Sequence, residues 1–192
     1  MTTRRGFVIV ISGPSGVGKG TIIKEVVRRG SGIHLAVSAT TRSPRPGEAD
    51  GKDYFFLSTE EFDRREKAGE FLECCWVHSN RYGTLKSEVV PYIDAGQDVM
   101  IEIDIQGAQK IREALDQLLC IFVAPPRLED LAHRLKNRAT DSEETIQKRL
   151  LVAGRELEEI GKYNYIVVNS DVDQAVEDVL DIIRRSKQDM IG

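Results

Sequence analysis

Residues 13–21 read GPSGVGKGT, and this stretch decides the fold of the 192-residue chain. An apolar run, Phe7–Ile11, precedes it, and the amphipathic segment Ile22–Val27 follows it. A buried strand, a glycine loop and a helix in this order form a phosphate cradle, because glycine lets backbone N–H groups turn inward and a helix N-terminus attracts anions. The loop lysine reaches the β- and γ-phosphates. The pattern predicts a nucleoside triphosphate site formed by Gly13, Pro14, Ser15, Gly16, Val17, Gly18, Lys19, Gly20 and Thr21.

One position departs from the usual phosphate-loop pattern. Gly20 stands where the pattern has Ser or Thr, whose hydroxyl ordinarily ligates Mg²⁺. The ion is therefore expected to be held by phosphates, water and carboxylates elsewhere in the chain, or with help from Thr21. We favour an ion whose contacts to the protein are made mostly through water. The alternative, an ordinary glycine-rich turn before a helix, does not account for a strand, a helix and a lysine in register.

Composition and cysteine usage exclude several kinds of partner. The chain has 31 acidic and 27 basic residues, a net charge of −4, whereas duplex-binding proteins carry a basic excess, so we expect no nucleic-acid partner. The three cysteines form no CxxC pair, which favours a reduced compartment. The apolar run Phe7–Ile11 is too short for a signal-peptide core or a membrane span. These features predict a cytoplasmic protein with no membrane partner.

Strand-like and helix-like segments alternate along the chain. Apolar runs bounded by turn residues occur at Phe7–Ile11, Val99–Ile103, Leu119–Ala124 and Tyr165–Val168. Apolar residues at steps of three and four, as in helices, lie between and after them at 128–135, 146–160 and 176–183. This alternation predicts one α/β core, with a parallel sheet covered by helices on both faces.

Residues 38–96 differ in pattern from the rest of the chain. Short strand-like runs at Tyr54–Leu57, Phe71–Val77 and Arg81–Leu85 accompany a helix-like segment at Ser58–Ala68. Such a block between two strands of a parallel sheet indicates an inserted lobe, which is a natural place for a second substrate. We therefore predict a core of residues 1–37 and 97–192 and a lobe of residues 38–96.

Two arginines flank Pro44 in a turn-rich loop of this lobe. The proline stiffens the backbone, so Arg42 and Arg45 could hold their guanidinium groups toward one phosphate, with Tyr54 and Tyr82 as hydroxyl donors. The alternative is a solvated basic loop. Beside a triphosphate site, the phosphate clamp is the stronger interpretation.

Two acidic residues lie at the end of the run Val99–Ile103. Glu102 and Asp104 are two residues apart, hence on one face, at the strand end where α/β sheets bind ligands. Asp104 could hold a water molecule of the Mg²⁺ shell. The alternative is that Asp104 only caps a helix starting near Gly107.

Several strings together resemble the guanylate kinase family of ATP-dependent GMP kinases: GPSGVGKGT, SATTRSPRPGE, GKDYFF, GEFLE, RYGT, IEIDIQGAQ and YNYIVVN. They run from about Phe7 to Asn169, in the family's order and spacing. The resemblance implies a P-loop NTPase-type α/β fold, a parallel sheet flanked by helices, with an inserted mixed α/β lobe that binds GMP and a small lid at about 138–148.

The resemblance also implies an acceptor site for GMP, made by Ser38, Arg42, Arg45, Tyr54, Glu73, Tyr82, Thr84 and Glu102. A carboxylate such as Glu73 accepts both the N1–H and the 2-amino group of guanine, whereas adenine has an acceptor at N1 and no 2-amino group. Hydroxyls of Ser38 and Thr84 could donate to O6. Without the resemblance, Glu73 would be interpreted as an ordinary surface carboxylate.

The resemblance also implies roles for arginines in and around the lid. Arg138 and Arg149 are expected to act as catalytic residues with Lys19 and Arg42, by placing positive charge on the transferring phosphoryl group. Further contacts to ATP are implied for Arg134 and Asn169, the latter beside the adenine. From spacing alone, the arginines would be a solvated helix face.

The expected reaction is direct in-line transfer of the γ-phosphoryl group of ATP to GMP, and to dGMP as well, with Mg²⁺ as cofactor held by Asp104 through water. Two other functions stay open. A non-catalytic module of this fold could bind a phosphorylated peptide, although such modules lose the loop lysine and glycines kept here. A kinase of another nucleoside monophosphate is suggested by the adenylate-kinase-like Gly18-Lys19-Gly20-Thr21. The sequence does not decide between a monomer and a homo-oligomer.

Overall fold

The computed structural model describes residues 5–30, 32–77, 79–115, 118–136 and 143–189. The chain forms two compact units, Met1–Val10 with Gly32–Leu118 and Ile11–Ser31 with Leu119–Gly192. The predicted division into a core of residues 1–37 and 97–192 and a lobe of residues 38–96 stays a prediction.

Nine strands are present in the described ranges, and they form two sheets. In chain order they are β1 (Val8–Ser12), β2 (Ile33–Leu35), β3 (Ser38–Thr40), β4 (Phe55–Phe56), β5 (Phe71–Val77), β6 (Asn80–Leu85), β7 (Asp98–Glu102), β8 (Leu118–Ala124) and β9 (Tyr165–Val168). The larger sheet has the strand order β2-β7-β1-β8-β9, and the smaller one has the order β4-β3-β6-β5.

The larger sheet is parallel and flanked by helices, as the sequence predicted. β2 pairs with β7 and β8 with β9 in parallel. The helices are α1 (Lys19–Arg29), α2 (Thr59–Lys67), α3 (Val90–Asp94), α4 (Ile105–Ala114), α5 (Leu128–Lys136), α6 (Glu143–Glu158) and α7 (Val172–Asp189). β1 is buried along its whole length, as expected for a strand covered on both faces.

The smaller sheet is mixed, with β3 and β5 antiparallel to β6 and β3 parallel to β4. Its core consists of the buried residues Ala39, Phe62, Phe71 and Leu85. Phe62 lies on α2, whose first turn is fixed by the Ser58 hydroxyl accepting the Glu61 N–H at 3.2 Å. This packing gives the strands that carry the acceptor-site residues a rigid base.

The sequence predicted most strands closely and missed β2 and β3. β5 and β9 have the predicted bounds and β4 lies within the predicted run Tyr54–Leu57, whereas the three-residue strands β2 and β3 carry too few residues to show a period. No helix in the described part of the chain is long and apolar enough to cross a membrane.

Candidate functional site

The loop between β1 and α1 has the backbone of a phosphate cradle. Gly13 and Gly18 have φ values of +141° and +100°, a region that L side chains rarely adopt. A Cβ atom at Gly13 would lie 2.2 Å from the Val123 carbonyl oxygen, so this position accepts no side chain. The glycines predicted from the sequence are therefore required by the path of the chain.

The N-terminus of α1 is open to an anion. Gly18 is the N-cap, provides no side-chain cap, and the first helical turn contains no acidic residue. The backbone N–H groups of this turn point toward the loop side of the helix, where the helix dipole adds positive potential. The Lys19 ammonium donates to the carbonyl oxygens of Gly13 at 2.6 Å and Pro14 at 3.1 Å, which holds the cation over the loop.

Asn169 supports the loop from the end of β9. Its side-chain Nδ2 donates to the Val17 carbonyl at 2.7 Å, and its own N–H donates to the Ala124 carbonyl at 2.8 Å. The side chain is buried. The observed contact fixes the loop, and the contact to adenine expected for Asn169 stays a prediction.

The lid arginines are only partly described. Arg138 lies outside the described residues, as do residues 138–142 of the lid predicted at about 138–148. Arg134 lies on α5. Arg149 is half-buried on α6. Their predicted roles stay predictions.

Three predicted acceptor-site residues form one row across the smaller sheet. Ser38 of β3 and Glu73 of β5 are both register partners of Thr84 on β6. The Thr84 hydroxyl donates to Glu73 Oε1 at 2.9 Å. The strand pairing thus brings together residues that lie up to 46 positions apart in the chain (84 minus 38).

Glu73 is a buried carboxylate, with only 5% of its surface exposed. Its Oε2 atom has no hydrogen-bond partner in the described part of the chain. Burial raises the pKa of Glu73 to about 7, and the charge of Asp104 adds to the increase, whereas the Thr84 hydrogen bond opposes it. A buried acceptor without a partner is costly, so the site is built to receive hydrogen-bond donors.

Glu73→Gln should stabilise the protein at alkaline pH. The folded-state pKa is about 7 against an ordinary 4.5, so the folded chain loses stability as pH rises through this interval, by up to about 3 kcal/mol. Glutamine does not ionise and escapes this loss. Denaturant unfolding without nucleotide should show a higher free energy of unfolding for the variant than for the parent at pH 8. At pH 5 this difference should become small. Glu113→Gln, an exposed carboxylate on α4, is the control, and an equal gap at both pH values would contradict the burial argument.

Arg42 is the centre of a polar cluster. Its Nε donates to the Tyr82 hydroxyl at 3.3 Å, and its terminal nitrogens donate to the Ser43 carbonyl and, in a fork, to Glu48 at 2.9 and 3.0 Å. These four bonds use four of the five guanidinium N–H groups. The Glu48 hydrogen bonds raise the pKa of Arg42 and lower that of Glu48. A forked bond from Arg42 to phosphate therefore requires the Glu48 pair to open.

Tyr54 joins this cluster and Arg45 lies at its edge. The Arg42 guanidinium carbon lies 5.3 Å from the centre of the Tyr54 ring, and the rings of Tyr54 and Tyr82 are 6.0 Å apart. Burial raises the pKa of Tyr54 to about 12, with the charge of Glu102 as the next cause. Arg45 is exposed, and its backbone N–H donates to Glu48 at 2.7 Å.

Glu48 was not among the site residues predicted from the sequence. It is the carboxylate that follows the two arginines, after Gly47, and it accepts from Arg42 and from the Arg45 backbone. An acidic residue closing an arginine-rich turn was the available signal, because such a residue can pair with the arginines it follows.

Glu102 and Asp104 lie at the carboxyl end of β7. Asp104 is the N-cap of α4, and its Oδ1 accepts the Gly107 N–H at 2.8 Å, so the capping role considered from the sequence is present. Its Oδ2 lies 3.8 Å from Cys75 Sγ. Glu102 is exposed.

These residues fit a magnesium ion held mainly through water. Gly20 has no hydroxyl, and Thr21 is exposed on α1. No three histidine, cysteine or acidic side chains group as a metal site in the described ranges. Mg²⁺ keeps several waters and binds through one or two carboxylates together with substrate phosphates, a donor set that Asp104 Oδ2 suits.

Comparison with known proteins decides the family. A sequence model described as Guanylate kinase matches residues 5–186. The chain belongs to the guanylate kinase family. The resemblance stated from sequence strings is thereby confirmed, and the protein is an enzyme of the kinase class.

Similar members of the guanylate kinase family cover nearly the whole chain. The guanylate kinase of Caldanaerobacter subterraneus subsp. tengcongensis is 50% identical over 96% of this chain and 89% of that protein. The guanylate kinase of Clostridium tetani is 46% identical over 95% of this chain and 88% of that protein. The crystal structure of guanylate kinase from Anaplasma phagocytophilum, 31% identical, superposes with a TM-score of 0.80 over 96% of this chain and 88% of that one.

Proposed function

We propose that the protein transfers the γ-phosphoryl group of ATP to GMP, giving ADP and GDP, and that dGMP is also an acceptor. The observation that carries this proposal is the row of Ser38, Thr84 and buried Glu73, with Oε2 of Glu73 left for a donor. Membership of the guanylate kinase family supports it.

Guanine recognition rests on Glu73. Its carboxylate accepts the N1–H and the 2-amino group, which lie side by side on guanine, whereas adenine presents an acceptor at N1. The Thr84 hydroxyl hydrogen is directed to Glu73 Oε1, so Ser38 is the hydroxyl available to donate to O6. Thr84 then acts by orienting the carboxylate.

The acceptor phosphate is assigned to the polar cluster around Arg42. Arg42, Tyr54 and Tyr82 present converging donors, and the Glu48 pair opens as the phosphate takes its place on the guanidinium fork. Arg45 and Glu102 lie at the rim of the cluster and are assigned to the phosphate and the nucleoside, respectively.

Arg42→Ala should raise KM for GMP by about 10–100-fold and change KM for ATP little, because the lost fork binds the acceptor phosphate, and it should also lower kcat, because Arg42 is expected to place charge on the transferring phosphoryl group. Arg42→Lys keeps the charge but not the fork, so it should recover only part of the loss. Initial rates at varied GMP with saturating ATP, and at varied ATP with saturating GMP, measure the two KM values. Equal increases in the two KM values would argue for a general structural role.

The triphosphate is assigned to the loop of residues 13–21, with Lys19 at the β- and γ-phosphates. Arg134, Arg138 and Arg149 are assigned to the donor nucleotide and the transferring group. Mg²⁺, when bound with ATP, neutralises charge on the β- and γ-phosphate oxygens, and Asp104 would hold it through water.

The reaction needs no general base. The acceptor is a phosphate oxygen that is already anionic near neutral pH, so we propose direct in-line transfer without a covalent enzyme intermediate. The chain's own contribution is to position the two nucleotides and to place cations around the equatorial oxygens.

An ADP-release assay with ATP and Mg²⁺ tests the proposal, comparing GMP, dGMP, AMP, UMP and CMP at equal concentration. Turnover confined to GMP and dGMP is the expected result. Turnover with AMP would favour another nucleoside monophosphate kinase. No turnover with any acceptor, in protein shown to be folded, would overturn the proposal and favour a phosphopeptide-binding module.

A further inference from the structure

A carboxylate outside the proposed substrate contacts holds the backbone next to Ser38. The Oε2 atom of Glu88 accepts the Val37 N–H at 3.0 Å. Val37 lies in the connection between β2 and β3, one residue after Ala36, whose N–H still donates to the Met100 carbonyl of β7 at 2.9 Å. The connection is therefore fixed at Val37 by a side chain, at the point where the chain leaves one sheet for the other.

Glu88 is placed where it can set the geometry of the guanine site. It ends the 3-10 helix Lys86–Glu88, which follows directly after β6. Glu88 thus comes four residues after Thr84, and it bonds the residue immediately before Ser38. Because Ser38 and Thr84 are register partners, the Val37–Glu88 bond closes the end of the strand pair that carries both hydroxyls.

The His34 ring lies beside this carboxylate and is itself packed on Tyr92. The His34 Nε2 atom lies 3.4 Å from the same Glu88 oxygen, and the His34 ring stacks on Tyr92 of α3 with centroids 3.5 Å apart and planes 7° apart. The side chains of His34 and Glu88 are 20% and 16% exposed. Partial burial beside the His34 ring limits the space into which this carboxylate could turn away from Val37.

We propose that Glu88 is a positioning residue for the guanine site, which sets the place of the Ser38 hydroxyl opposite O6 of the acceptor base. The proposal rests on the proposed function. Glu88 contacts no reactant, so its loss changes the affinity for the acceptor and leaves the triphosphate site and the chemical step nearly unaffected.

Three variants at this position separate the hydrogen bond from the charge. Glu88→Ala removes the acceptor of the Val37 N–H and should raise KM for GMP about 5–10-fold, the loss expected for one hydrogen bond. Glu88→Gln keeps an acceptor oxygen at the same reach and should stay within about twofold of the parent. Glu88→Asp keeps the charge but is shorter, so it should behave like Glu88→Ala. Asp94→Ala, which removes a carboxylate of α3 paired with Arg5, is the matched control and should leave both KM values unchanged.

A modified acceptor tests whether the effect acts through O6. Sulfur accepts hydrogen bonds weakly, so 6-thio-GMP lacks most of the contact to Ser38 while keeping the N1–H and 2-amino donors. Glu88→Ala should therefore raise KM for 6-thio-GMP by no more than about twofold. KM for ATP and kcat with GMP should change by less than about twofold in every variant.

The outcomes are distinguishable. If the parent enzyme does not phosphorylate GMP, the proposed function fails before Glu88 is tested. If the parent is active, the positioning role is overturned when Glu88→Ala leaves KM for GMP unchanged, when KM for ATP rises equally, or when 6-thio-GMP suffers the full loss. Should Glu88→Ala not fold, Glu88→Asp gives the same decision, because an unchanged KM for GMP in that variant overturns the proposal.

Discussion

Lys19→Ala should lower kcat by about 10²–10³-fold or more, while the protein stays folded. Lys19 is the loop cation that the proposed mechanism places at the β- and γ-phosphates, where negative charge is redistributed during transfer. Removing one preorganised donor at such a site costs transition-state stabilisation that water does not restore. The ammonium donates to the carbonyl oxygens of Gly13 and Pro14, which belong to the same loop, so we expect the fold to tolerate its removal.

Steady-state rates at saturating ATP and GMP measure this loss, and thermal unfolding checks the fold. Lys24→Ala is the matched control, since Lys24 is an exposed lysine of the same helix and its removal should leave kcat unchanged. A kcat within about tenfold of the parent for Lys19→Ala would remove Lys19 from the transfer step.

Glu73→Gln should lower the preference for GMP over AMP from about 10⁴ toward about 10². The amide oxygen can accept one guanine N–H, but the amide nitrogen then faces the second donor. The amide nitrogen and the guanine N–H that it faces are both donors, so in a buried site one polar group is left without an acceptor. This weakens the interaction with GMP and not that with AMP. The variant should therefore lose kcat/KM with GMP and gain little with AMP.

IMP provides an internal control for this variant, because it keeps the N1–H and O6 of GMP and lacks the 2-amino group. The ratio of kcat/KM for GMP and IMP should be large in the parent and close to one in Glu73→Gln, since the contact that separates the two bases is gone. An unchanged ratio would assign recognition of the 2-amino group to another residue, and an unchanged preference for GMP over AMP would count against Glu73 as the base-reading residue.

The sequence was sufficient for the parallel sheet and the phosphate loop, for local reasons. The run Phe7–Ile11 is apolar at every position because β1 is covered on both faces, and the loop glycines follow from steric limits that act within a few residues. Strands β2 and β3 were missed because three residues form a strand only when longer neighbours pair with them.

Most residues of the candidate site could be named from the sequence, whereas most contacts between them could not be predicted. Glu73 and Thr84 could be named from family strings, but the burial of Glu73 and its bond to Thr84 depend on strand register, which no local pattern encodes. The same holds for Glu48 on Arg42, a side-chain contact across a turn, and for Glu88 on Val37, a contact between residues 51 positions apart. The assignments to ATP, GMP and Mg²⁺ stay predictions.

The bond between Asn169 and the Val17 carbonyl joins residues 152 positions apart. A ribosome produces the phosphate loop first and the Asn169 amide that supports Val17 only 152 residues later. During translation the loop sequence is therefore present long before its support, and this hydrogen bond cannot form until β9 has been made. The order of synthesis thus delays the finished triphosphate site to a late stage of folding.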